Sequence, residues 1–237
     1  NYIEDRSFQS MQTLKYLDLS LNKVTHVRAL TFAELHNLEE LYMSQNEVQV
    51  IEHRAFNNLK RLRVLDLSHN LMMVLHDAMF QERLPIRFLN LMNCSITKIE
   101  SGAFRGLNNL NELDLANNKL KSADLKHLDI PGLRVLKISH NNFSDISGSV
   151  LYGLPSLQTI SIEFCQMHTL PENIFSKNKN LQKIDLSGNL LENLRHGVFV
   201  SLSNLKELKL CDNDFVDVPY RALLNLSTLE TLSLATN

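Results

Sequence analysis

Hydrophobic residues keep a fixed cadence along this chain. Its clearest statement is Leu62-Arg63-Val64-Leu65-Asp66-Leu67-Ser68-His69-Asn70-Leu71-Met72, apolar at positions one, four, six and eleven, with asparagine at nine. The same pattern begins at Leu14, Leu38, Leu62, Ile86, Leu110, Leu133, Leu157, Leu181, Leu205 and Leu229. Successive starts are 24 residues apart, except that Leu110 to Leu133 is 23. Ten copies in phase are not chance, so the period, rather than the length of 237 residues, decides the architecture. The alternation Leu65-Asp66-Leu67 predicts a short strand with leucine facing in and aspartate facing out. One repeat cannot bury its own leucines, so strands from successive repeats must stack in parallel, about 4.8 Å apart, into one sheet.

The second half of each repeat carries its own signal: an apolar residue, Phe five positions later, and Leu three beyond that. Val27, Phe32 and Leu35 show it, as do Ile51, Phe56 and Leu59; Ile99, Phe104 and Leu107; and Leu194, Phe199 and Leu202. Phe8, Phe80 and Phe175 hold the same slot, and Leu151 and Leu223 replace it. These side chains predict a second core column behind the sheet. The ninth position is asparagine at Asn22, Asn46, Asn70, Asn118, Asn141, Asn189, Asn213 and Asn237. An amide there can pair the backbone of its own turn and of the next coil. Cys94 and Cys165 fill the two remaining slots, where a buried thiol serves as a weak donor.

The expected fold is therefore an α/β-type repeat solenoid, a horseshoe with a parallel β-sheet on the concave face and mostly loop or short helical turns on the convex face. It spans residues 1–237 as a single solenoid of about ten repeats. The repeat from Asn118 to Asn141 is one residue short and lacks the phenylalanine, so packing or curvature should change there, first as a tolerated irregularity and secondarily as a kink of the kind that marks binding sites. The chain opens part-way through one repeat and stops part-way through another, which reads as an internal piece of a longer protein with caps missing at both ends. Uncapped leucine edges then predict low solubility or fraying.

Composition narrows the function classes. Twenty-four basic and 26 acidic residues are interspersed, with a formal net charge of −2, so nothing favours nucleic acid or an anionic membrane surface. No apolar run approaches the roughly 18 residues of a membrane span, so membrane contact is expected only through segments outside these residues. Cys94 and Cys165 occupy equivalent slots three repeats apart, roughly 14 Å at about 4.8 Å per strand, beyond the Cα window of about 4.4–6.8 Å for a disulfide. Cys211 follows its strand on another side of the coil, so no disulfide is expected. The nine histidines, among them His69, His140 and His168, show no metal-ligand spacing. There is no glycine-rich phosphate loop and no nucleophile–base grouping. Asp18, Asp66, Asp114 and Asp185 read as outward strand positions on a solvated surface. No catalytic, metal or cofactor residue is assigned, and no enzyme activity is expected.

Function should then lie on the concave face, at the second, third, fifth, seventh and eighth motif positions. Most are polar, for instance Glu39, Glu40, Asn111, Glu112, Gln182, Lys183, Lys206 and Glu207. Tyr16, Tyr42, Arg63, Val64, Arg87, Phe88 and Met92 break that trend on consecutive strands, and aromatics, Arg and Met are the residues of interface anchors. Arg134, Val135 and Phe164 form a smaller second group. The plain alternative is that scattered apolar surface residues carry no message. Three N-x-S/T tripeptides are glycosylation candidates: Asn225, on the convex half, Asn142, and Asn93, whose neighbour Cys94 should be packed inside.

Repeats such as Leu113-Asp114-Leu115-Ala116-Asn117-Asn118-Lys119-Leu120, followed by the Ile99-type and Phe104-type positions, resemble the 24-residue repeats of animal extracellular leucine-rich repeat proteins. The long run without cysteine-rich caps is similar to chaoptin, a surface-anchored adhesion protein, and to the ectodomains of Toll receptors. The resemblance implies a secreted or cell-surface glycoprotein that works by protein–protein contact, with a protein ligand, a cell-surface partner or a second copy of itself. Adhesion or recognition is the leading expectation. A ligand-binding ectodomain of an innate immune receptor is the alternative, and a matrix protein is less attractive without flanking cysteine clusters.

Overall fold

The computed structural model describes residues 1–77, 79–80 and 83–237. They fall into two units, Asn1–Asn118 and Lys119–Asn237, so the division coincides with the start of the short repeat. In the first unit the strands β1 (Tyr16–Asp18), β3 (Glu40–Tyr42), β5 (Val64–Asp66), β7 (Phe88–Asn90) and β9 (Glu112–Asp114) pair in parallel in chain order. Between them lie the two-residue strands β2 (His26–Val27), paired with β4 (Val50–Ile51), and β6 (Val74–Leu75), paired with β8 (Lys98–Ile99). The second unit opens with α1 (Ser122–Leu125), continues through β10 (Val135–Lys137), β11 (Thr159–Ser161), β12 (Lys183–Asp185) and β13 (Glu207–Lys209), and ends with α2 (Tyr220–Leu223) and β14 (Thr231–Ser233). Each sheet strand covers the third to fifth positions of its motif, and register runs motif to motif, as in Leu41↔Leu65 and Ile160↔Ile184. Both units are parallel-sheet solenoids with few helices.

Alternation does what the pattern predicts. Leu41, Leu65, Leu89 and Leu113 are fully buried in the first unit, and Leu136, Ile160 and Leu208 in the second. The strands stop after three residues because the chain turns at the seventh to ninth positions. That turn holds the eighth residue in the left-handed region in every repeat: Leu21, Gln45, His69, Asn93, Asn117, His140, Phe164, Gly188, Asp212 and Thr236 all have φ between 52 and 68°. For a non-glycine residue this conformation costs about 1–2 kcal/mol, which the flanking ladder must offset. The seventh position does not face outward in every repeat as expected. Ser68, Ala116, Ser139 and Ser187 are buried in the turn.

The asparagines tie the turns together. Asn70 donates from Nδ2 to the carbonyls of Met43, Leu67 and Ser68, while its Oδ1 accepts the N–H of Val48. The neighbour served is thus the preceding coil, not the next one. Cys94 and Cys165 take the donor half of this role: Cys94 Sγ donates to Leu67 O at 3.1 Å and Cys165 Sγ to Ile138 O at 3.4 Å. Burial pushes both thiols up to about 12, so they remain protonated donors.

Behind the sheet the phenylalanines stack. Phe8–Phe32, Phe32–Phe56 and Phe56–Phe80 have ring centroids 6.1, 6.2 and 6.0 Å apart, and Phe175–Phe199 repeats the geometry at 6.0 Å. In the short repeat, Leu125, Leu128 and Ile130 fill the space behind the sheet without an aromatic. Ser122 helps to set α1 there, its Oγ accepting the N–H of Ser147 at 2.9 Å, while Asp124 accepts the N–H of Lys121.

Three residues past the phenylalanine slot, Leu35, Leu59, Leu107, Leu154 and Leu202 are buried, but the matching residue after Phe175 is Asn178. Its Nδ2 donates to Leu151 O and Leu154 O, and its Oδ1 has no hydrogen-bond partner among the described residues. Both carbonyls also accept backbone N–H groups, from Leu154 and Leu157, so they do not depend on the amide. Asn178→Leu should therefore stabilise the protein by about 1–2 kcal/mol, from the desolvated oxygen removed and the apolar surface added. A rise in the urea midpoint checks this; a fall would show that the two donated bonds outweigh the orphan oxygen.

A candidate protein-binding face on the first unit

Parallel in-register pairing converts motif positions into columns. On the open face of the first unit the second-position column reads Lys15, Glu39, Arg63, Arg87; the third reads Tyr16, Glu40, Val64, Phe88; the fifth reads Asp18, Tyr42, Asp66, Asn90. The structure thus brings Tyr16, Tyr42, Arg63, Val64, Arg87 and Phe88 onto one face of four adjacent strands. Met92 sits in the turn beyond β7, half-buried, its N–H bonded to Asn90 Oδ1 and its carbonyl accepting the N–H of His69.

The rings of Tyr16 and Tyr42 meet at 5.3 Å with a tilt of 41°. Tyr16 is 54% exposed, whereas Tyr42 is half-buried and its hydroxyl donates to Glu40 Oε2 at 2.8 Å. Burial, and next that hydrogen bond, push the Tyr42 phenol up to about 12, so it stays neutral across the physiological range. Val64 and Phe88 are register neighbours, both half-buried, with Arg63 and Arg87 exposed beside them. Arg63 reaches Glu39 at 3.9 Å, and Lys15 reaches the same carboxylate at 3.7 Å. Exposed pairs of this length contribute about 0–1 kcal/mol, so both arginines remain available to a partner.

The aspartates read as a solvated column have a defined job. Asp18, Asp66, Asp114 and Asp185 each accept, at Oδ1, the backbone N–H two residues on, that of Ser20, Ser68, Ala116 and Ser187. The bond from Ser20 holds the Asp18 carboxyl below its usual range. The signal was the small residue that follows two positions later. No group of three potential metal ligands occurs among the described residues, and no helix among them is long and apolar enough to cross a membrane.

On the second unit the face differs. Lys183 pairs with Glu207 at 2.9 Å, Lys209 with Asp185 at 3.4 Å and with Glu207 at 3.5 Å, and Lys206 with Glu230 at 3.0 Å. The Lys183 hydrogen bond lowers the Glu207 pKa, and the Asp185 charge raises that of Lys209. Arg134 and Val135 lie at the start of β10, but Phe164 lies in a turn, 48% exposed, stacked on His140 at 4.8 Å and 9°. Its other side rests against Gly188, where any Cβ would collide with the ring. This stack went unread in the sequence; the clue was the aromatic eighth position with glycine 24 residues later.

Residues 1–111 and 74–129 match the family described as BspA type leucine rich repeat region, in six copies, and residues 179–237 match a second leucine rich repeat family. The chain belongs to the leucine-rich repeat family. Among solved structures, this leucine-rich repeat chain is similar to Toll in the Drosophila Toll–Spatzle complex, described as a molecular hub in development and innate immunity. The identity is 20% and the TM-score 0.86, over 99% of this chain and 31% of that one. It is also similar to FLRT2 (LRR) in an octameric complex with Latrophilin 3 and Unc5D, at 26% identity and a TM-score of 0.73, over 87% of this chain and 64% of that one. A third is TLR13 in its complex with ssRNA13, at 23% identity and a TM-score of 0.68, over 98% of this chain and 41% of that one. The leucine-rich repeat chain spans less than two thirds of each of these chains. No curated protein matches the sequence.

Leucine-rich repeat geometry separates scaffold from variable letters. Leu62, Leu65, Leu67, Asn70 and Met72 are all buried, whereas Arg63 and His69 are exposed and Val64 is half-buried. All three sequon asparagines are exposed. Asn93 has φ 53° and its Nδ2 lies 2.8 Å from His69 Nδ1. Asn142 Oδ1 accepts from the N–H and hydroxyl of Ser144, and Asn225 lies just past Leu224, the C-cap of α2, with Ser227 exposed.

Proposed function

We propose that this chain is a protein-binding module of a cell-surface or secreted protein, acting in adhesion or recognition through the open sheet face of its first unit. The observation that carries the reading is the grouping of Tyr16, Tyr42, Arg63, Val64, Arg87 and Phe88 on four adjacent strands, an anchor composition on an otherwise polar sheet. The mutually paired charges of the second unit offer a partner less. Homophilic contact between copies is included in this reading. A second reading, the ligand-binding ectodomain of a Toll-like immune receptor, is favoured by the similarity to Toll over 99% of the chain.

The test displays the full-length protein on cells and scores clustering and capture of a library of secreted proteins. Tyr42→Ala with Phe88→Ala should reduce binding at least tenfold while the thermal transition stays cooperative. Cell clustering supports adhesion, and capture of a soluble ligand without clustering supports the receptor reading. Binding untouched by the double variant would move the contact off this face, and no binding of either kind would overturn the proposal.

A further inference from the structure

On β5 and β7 the charge of the first unit's face is separated along the strand direction, although Glu39 shares the second-position column and Glu40 and Glu112 flank the apolar pair in register. Around the apolar pair Val64 and Phe88, the cations Arg63 and Arg87 hold the second-position column, and the carboxylate of Asp66 holds the fifth. Three residues of extended chain separate the two columns by about 10 Å. Arg87 makes no ion pair among the described residues, and Arg63 has only the 3.9 Å approach to a carboxylate it shares with Lys15. Asp66 is held in place by the N–H of Ser68 at 2.9 Å and makes no ion pair among the described residues. At the third and fifth positions of β12 and β13, by contrast, Lys183, Glu207, Lys209 and Asp185 neutralise one another. The first unit therefore carries complementary charges that are positioned but unspent, with a half-buried apolar pair between them.

We infer that the partner of this face is an extended protein segment presenting a carboxylate to Arg63 and Arg87, an aliphatic or aromatic side chain to Val64 and Phe88, and a cation to Asp66. The inference rests on the proposed binding role of this face and adds the chemistry of what binds. In an extended segment alternate residues share one face, so the acidic, apolar and basic residues stand at successive alternate positions. The bidentate geometry of guanidinium favours carboxylate, and two arginines side by side also suit phosphate. The carboxylates of Asp66 and Asp18 on the same face repel a polyanion, which selects the peptide over nucleic acid.

The probe is a displayed library of random linear 12-residue peptides, selected on the full-length protein at low salt. Enriched peptides should share the acidic, apolar, basic order, and their binding should weaken at least tenfold between low and high salt. Arg63→Glu with Arg87→Glu should abolish binding of those peptides, and reselection on that variant should return peptides with a basic residue in the acidic place. Arg63→Gln with Arg87→Gln guards against a folding defect: the thermal transition should be unchanged and binding weakened about tenfold. Peptides that lose binding on Phe88→Ala yet show no acidic preference would overturn the charge inference alone. Peptides indifferent to both Phe88→Ala and the arginine changes would overturn the face itself. Displacement of the peptides by single-stranded RNA at equal concentration, or no enrichment at all, would overturn the inference too.

Discussion

Replacing Asn118 with Ala is expected to lower the unfolding free energy of the first unit by about 2–6 kcal/mol, among the largest effects of any single substitution in the protein. Its Oδ1 accepts two N–H groups, from Cys94 at 3.0 Å and Ile96 at 2.9 Å, and its Nδ2 donates to Leu91 O, Leu115 O and Ala116 O. The side chain is only 7% exposed. Alanine leaves two buried donors without acceptors, each costing about 1–3 kcal/mol. Asn118→Asp separates the halves of the bonding, since it keeps the acceptor and loses the donors. Asn22 supplies the contrast: exposed, it donates to Leu19 O and Ser20 O at 3.0 Å, and its alanine variant should cost under about 1 kcal/mol because water can replace the amide. Urea midpoints for the three variants decide the matter; equal costs at Asn22 and Asn118 would show that the ladder does not act through buried donors.

The cysteines fit the same account from the other side. Cys94 and Cys165 keep the donated bond to the preceding coil, and each loses the amide oxygen. In the second unit a backbone carbonyl takes over part of that lost role, since Phe143 donates its N–H to Cys165 O at 2.9 Å. At Cys165 the backbone itself thus supplies the acceptor that the thiol lacks.

Much of the fold is written in the period. Leucine at the fourth and sixth positions has one way to be buried, so each strand and its register follow from where the motif begins, and the phenylalanine slot follows from its fixed offset. The turn was less legible. Leu21, His69 and Phe164 adopt positive φ without glycine to announce it, because the constraint is set by the coil on either side rather than by the residue. Asp66 read as an exposed acid because its partner is a backbone N–H, which no side-chain pattern reveals. Asn178 hides for the opposite reason: a polar letter in a leucine slot reads as surface, yet it is fully buried. On the candidate face, Tyr16, Tyr42, Val64 and Phe88 could be placed because strand alternation assigns sides, whereas Arg63 and Arg87 precede their strands at a position the apolar motif leaves free. Met92 fell into the turn, since alternation ends after the fifth position. The pairing state of the charges, on which the inferred partner chemistry depends, needs side-chain distances that a motif does not carry.

Truncating Phe56 to Ala should cost about 3–5 kcal/mol, the usual range for a buried aromatic. Phe56 is 1% exposed and lies between Phe32, at 6.2 Å and 11°, and Phe80, at 6.0 Å and 16°. The cavity would border two neighbouring coils, and in a stacked array each repeat is stabilised mainly by its neighbours. The loss should accordingly be local: amide exchange should rise in the repeats that carry β3, β5 and β7 well before it rises around β12 and β13. Phe56→Leu should cost far less, about 1–1.5 kcal/mol, because a branched aliphatic refills most of the volume, as Leu151 does in the same slot of the second unit. Phe8 is half-buried and stacks on Phe32 at 6.1 Å, so Phe8→Ala should fall well below Phe56→Ala. A denaturation series over Phe8, Phe56 and Phe175 that gave equal costs, or exchange that rose uniformly through both units, would mean that the aromatic column is not stabilised by its immediate neighbours.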